Sequence, residues 1–109
     1  MVEWDYENPR FCEVKYEDMI KNEDEMFFKI FEHYGFRTDA IETCLKIVRQ
    51  YSFENVAKRP IGQIKSKSHL RSGKPGEWKT YFTEQNKVYF KELAGDSLIK
   101  LGYEMNNDW

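Results

Sequence analysis

Nine residues carry the densest chemistry in the chain: Arg71-Ser72-Gly73-Lys74-Pro75-Gly76-Glu77-Trp78-Lys79. They combine two glycines, a proline, three cations and a tryptophan. Glycine lets a backbone approach a ligand closely, and a guanidinium offers a planar fork of donors to a phosphate. Residue types and spacing therefore read as an anion cradle, with Arg71 as clamp and the Ser72 and Gly73 amides closing round the anion's oxygens. Composition alone fits an ordinary solvated loop with a tight Lys-Pro-Gly turn equally well.

Other constellations are absent. The sequence has no HExxH, no CxxC, no serine elbow and no GxxxxGK[ST] phosphate loop, so metal, triad and P-loop chemistry find no support. His33 reads as a surface residue near a helix end, and His69 falls in the basic loop. Neither Cys12 nor Cys44 joins a metal-like cluster, and free buried thiols are expected of both.

The net charge of −2 conceals an asymmetry. Residues 1–35 hold ten acids against four bases, whereas residues 58–79 hold seven bases against one acid, Glu77. A basic stretch in a mildly acidic chain points to a specific anion site. Nucleic acid is not an expected partner, because no recognition helix or aromatic sheet accompanies the cations.

A chain of 109 residues supports one domain. Residues 1–9 read as an extended lead-in. Alternation in Arg10–Tyr16 predicts one short strand, ended by Tyr16-Glu17-Asp18. A lone strand leaves backbone donors and acceptors unmatched, so another chain or a further segment would have to pair with it. Asn22 and Glu25 form a capping-box pattern, and Met26, Phe27, Ile30, Phe31 and Tyr34 recur at helical spacing up to Gly35. The first helix is thus expected over about 22–34. A second runs from Thr38 or Asp39 to near Tyr51, with Ile41, Cys44, Leu45 and Val48 on its apolar stripe. Residues 52–57 read as a turn or short helix, and 58–79 as a long loop. A third helix starts at Thr83, lines Phe90, Leu93, Ala94, Leu98 and Leu101 on one face, is weakened at Gly95, and stops at Gly102. No apolar run is long enough to span a membrane and the N-terminus is acidic, which makes a cytoplasmic setting the expectation.

Three segments in order then carry a resemblance: Tyr16-Glu17-Asp18-Met19, Tyr51-Ser52-Phe53-Glu54-Asn55, and the nine-residue loop followed by Phe82-Thr83. Together they resemble the C-terminal part of the cytosolic-type sulfotransferases, which use 3'-phosphoadenosine 5'-phosphosulfate. The resemblance covers nearly the whole chain, and the loop is its most specific element. It implies an α/β nucleotide-binding fold with a central parallel sheet, to which this chain, mostly helical, contributes one short strand and the basic loop. It implies that residues 1–109 form a single C-terminal portion of a sulfotransferase domain. Arg71, Ser72 and Gly73 would hold the cofactor's 3'-phosphate, while Tyr16, Ser52 and Phe53 would border the adenine. The family often has lysine where Ser72 stands, so weaker phosphate binding is expected here; it also often has methionine where Val56 stands, a mild departure.

The partners implied are the cofactor, or its product adenosine 3',5'-bisphosphate, and a small-molecule acceptor with a hydroxyl or amine. The family's phosphosulfate loop, catalytic lysine and general-base histidine have no counterpart in these residues. No catalytic residue is therefore assigned, and the chain alone is not expected to turn over. Apolar surface around Phe11, Val14, Phe27 and Phe31, left uncovered, predicts self-association or strand exchange. Two other readings fit the residues alone: a non-catalytic module that binds a nucleotide, and a helical protein-interaction module whose basic loop meets an acidic partner.

Overall fold

The computed structural model describes residues 5–109 as seven helices among turns and loops: α1 (Tyr16–Lys21), α2 (Glu23–His33), α3 (Thr38–Gln50), α4 (Phe53–Ala57), α5 (Trp78–Tyr81), α6 (Glu84–Ala94) and α7 (Ser97–Lys100). They fall into two compact units, one ending at Pro75 and the other beginning at Gly76.

The expected α/β sheet is not formed. Among the described residues there is no strand, and residues 10–15 are irregular. Tyr16-Glu17-Asp18 does not end a strand; it forms the first turn of α1, where Glu17 and Asp18 favour the helix N-terminus. The physical reason is pairing: alternation can only make a half-buried strand where a neighbour supplies the ladder, and none of the described residues does. The lead-in is turned rather than extended from Asp5 onward, with Asn8 N–H donating to the Asp5 carbonyl and Phe11 N–H to that of Asn8; its first four residues lie outside the described part.

In the first unit α2 follows its local signals closely. The Asn22 side chain accepts the Glu25 amide at 3.4 Å and donates back to the Glu25 carboxylate at 2.5 Å. At the other end Gly35, at φ +75°, donates to the Glu32 carbonyl, and Phe36 donates to that of Phe31. This pair of bonds is a Schellman close, with Phe31 and Phe36 stacked at 5.4 Å as its apolar contact. The helix then packs on α3, whose Ile41 is the one apolar side chain fully buried among the described residues. Cys44, Leu45 and Val48 on the same stripe are half-buried. Arg49 near the end of α3 grips Asp24 with Nε and Nη2, and the Asn55 amide donates to the Arg49 carbonyl, tying α4 to the end of α3. Cys12 and Cys44 are both free and half-buried.

The second unit centres on aromatic rings. Trp78 meets Phe82 at 5.2 Å and Trp109 at 5.5 Å, edge to face, and Phe90 meets Trp109 at 5.8 Å. Thr83 and Asn86 close a reciprocal capping box at the start of α6. The single third helix expected to reach Leu101 is divided instead. Gly95 adopts φ +52°, ψ −129°, a conformation only glycine holds readily, and α6 stops at Ala94. Leu93 is consequently not on a buried face but 71% exposed.

Candidate functional site

Three of the residues singled out in the sequence converge in the first unit. The Tyr16 hydroxyl, from the first turn of α1, donates to the Gly73 carbonyl at 3.1 Å across 57 residues of chain. The Phe53 ring, from the first turn of α4, lies directly on Gly73: a Cβ built there would come within 2.9 Å of the ring. Gly73 holds φ +69°, so both backbone conformation and space require glycine.

Ser52 and Phe53 line an open cleft of about 400 Å³ with Met19 and Ile20 of α1, Glu23, Arg49, Glu54, Asn55 and Ile61. This volume lies within the ~300–1,000 Å³ range of small-molecule sites. Its lining mixes the apolar Met19, Ile20, Phe53 and Ile61 with polar and charged side chains. Glu23 has its carboxyl raised above the usual carboxylate range, first by burial and then by the charge of neighbouring Asp24. Asp24 itself is lowered by the hydrogen bond from Arg49, whose charge is thereby committed. With Glu23 and Glu54 in its lining and Arg49 paired to Asp24, the cleft does not suit an anion, whereas a neutral flat ring suits its apolar side chains.

The cationic loop meets Phe53 at Gly73. Ser72 is 2% exposed, the one buried polar residue among those described. Its Oγ accepts the Lys74 amide at 3.1 Å, so the hydroxyl shapes the loop from within. Arg71 is half-buried. The loop is pinched shut by two backbone bonds: Gly62 N–H to the Ser72 carbonyl at 2.8 Å, and Lys65 N–H to that of Arg71 at 2.9 Å.

One organising residue escaped the sequence reading. Arg59 follows Lys58, which caps α4 in the left-handed conformation at φ +55°. Its guanidinium lies 5.2 Å from the Phe53 ring centroid and donates to the Ala57, Gln63, Leu70 and Arg71 carbonyls. Backbone acceptors leave no mark in a sequence; the only signal was a cation beside a proline. The remaining residues of the nine, Gly76 to Lys79, belong to the second unit. Trp78 packs there on Phe82 and Trp109, and the Lys79 ammonium sits 5.3 Å from the Trp78 ring centroid.

A cleft lined in part by the Phe53 ring, together with a cationic loop whose Gly73 lies against that ring, is the geometry the first unit presents. The family is then given by comparison. Residues 2–102 match the sulfotransferase domain, and the chain belongs to that family. Comparisons with curated proteins and with solved structures returned no match. Among the described residues no helix is long and apolar enough to cross a membrane.

Proposed function

We propose that this chain supplies the adenine and 3'-phosphate side of a 3'-phosphoadenosine 5'-phosphosulfate site, as the C-terminal portion of a sulfotransferase. The observation that carries this reading is the convergence of Tyr16, Phe53 and Gly73, three positions that the resemblance assigns to one nucleotide and that are far apart in the chain. The residue types suit such a group: the absence of a side chain at Gly73 lets the Phe53 ring pack against the Arg71-Ser72-Gly73 turn, and Ser52 and Phe53 line a cleft large enough for a base. Ser52, Phe53 and Tyr16 would border the adenine. Arg71, with the Ser72-Gly73 backbone, would hold the 3'-phosphate. When bound, the cofactor supplies the sulfuryl group that passes to an acceptor hydroxyl or amine. Residues in this chain bind and orient its nucleotide end.

Calorimetric titration with adenosine 3',5'-bisphosphate tests the reading. The unaltered chain should bind, and Arg71→Ala should weaken binding by about 10- to 100-fold, the loss of a charge-assisted phosphate contact. No binding by the unaltered chain at millimolar nucleotide would sink it.

A further inference from the structure

We infer that Arg59 is the positioning residue of this site, joining the Phe53 ring and the Leu70–Arg71 backbone into one piece by the shape of its guanidinium rather than by its charge. The consequence for ligand binding rests on the nucleotide reading above; the brace itself rests on geometry alone.

Four backbone carbonyls, at Ala57, Gln63, Leu70 and Arg71, receive Arg59 N–H groups, the first two at 3.3 and 3.0 Å and the last at 3.0 Å. Nε serves Gln63, Nη1 serves Ala57, and Nη2 serves both Leu70 and Arg71. The Arg71 carbonyl also accepts the Lys65 amide, so both its lone pairs are used. The same guanidinium lies over Phe53, the ring that rests on Gly73. One side chain therefore touches the wall of the cleft and the start of the Arg71-Ser72-Gly73 turn together.

Charge alone does not account for a guanidinium here. Residues 58–75 of the first unit already hold five other cations and no acid, so a further positive charge in this segment is unfavourable until an anion arrives. What the position gains is a planar group with donors on three nitrogens. A lysine ammonium has three donors on a single nitrogen and cannot reach acceptors spread this way. Bound phosphate would relieve the crowding of cations, so the brace and the ligand should reinforce one another.

Arg59→Lys and Arg59→Gln in the full chain separate shape from charge. Hydrogen exchange needs no ligand: both variants should speed exchange of the Gly62 and Lys65 amides by about tenfold, while Leu45 and Val48 in α3 keep their rates. In titration with adenosine 3',5'-bisphosphate, Arg59→Lys should lose about tenfold in affinity, as much as Arg59→Gln. Wild-type exchange and affinity in Arg59→Lys would overturn the inference, because charge alone would then suffice. Equal acceleration in α3 would also overturn it, by showing a general loss of structure. If the unaltered chain binds no nucleotide, the cofactor reading and the positioning role fall together, and the exchange rates alone then confirm or refute the brace.

Discussion

Gly73 is the residue on which the site turns. It combines a left-handed backbone with an aromatic ring where its side chain would be. Gly73→Ala should destabilise the first unit by about 1–2 kcal/mol from backbone strain, and more if the Phe53 ring cannot move aside. Urea unfolding of the unaltered chain and of Gly73→Ala reads this directly; equal midpoints would show that the ring and turn are not fixed as described. The sequence pointed to Gly73 through the cationic loop it sits in and the family resemblance that loop carries, since composition alone fits a solvated turn as well. It did not point to Arg59, because what Arg59 holds is main chain. Ser72 was legible as part of the turn but not in its role, since a buried hydroxyl that accepts a neighbouring amide looks in sequence like one free to donate.

Among the elements, the start of α2 holds two acids with opposite responses to pH. The Asp24 carboxyl is lowered by its hydrogen bond from Arg49, so the stability it contributes is present above the ordinary aspartate range and lost as pH falls through its folded value. Glu23 is raised by burial and by Asp24, so its contribution is present below the ordinary glutamate range and lost as pH rises through its folded value. Glu23→Gln should therefore raise the melting temperature at pH 7 and leave it unchanged near pH 3, where Glu23 is protonated in either state. A thermal series across that range checks it; no gain at pH 7 would mean that Glu23 is solvated in the folded chain. The limits of α2 were readable to within a residue because both ends are set by local contacts, the Asn22–Glu25 exchange and the Gly35 close. The strand expected at residues 10–16 failed for the converse reason: a strand is a property of two segments, and only one was in view. Gly95 shows the same limit from the other side, since its cost to a helix was evident but the decision to break was made by the backbone it adopts.

For the molecule as a whole, the scarcity of buried side chains is the governing fact. Ile41 and Ser72 alone are fully buried among the described residues, while Phe11, Tyr34, Phe36, Tyr51 and Leu93 are among the large apolar side chains left exposed. A chain this size needs to bury well over half of its surface to be stable alone. The isolated chain should therefore self-associate, and sedimentation across a concentration series should show mass above that of one copy. A monodisperse single copy with cooperative unfolding would count against this. The family was legible in the sequence through three separated motifs, and the match over residues 2–102 bears it out. The sheet expected with it was not formed here, because pairing partners are supplied by the tertiary context and not by the motifs.

The division between Pro75 and Gly76 has a genetic consequence. It falls inside the most recognisable nine residues of the chain, so a continuous signature is shared between two separately packed bodies. Changes from Arg71 to Gly73 would disturb the turn against Phe53 in the first unit, whereas changes at Trp78 would loosen a ring cluster with Phe82 and Trp109 in the second. Neighbouring codons would then yield two unrelated kinds of defect, with the boundary between them at the proline.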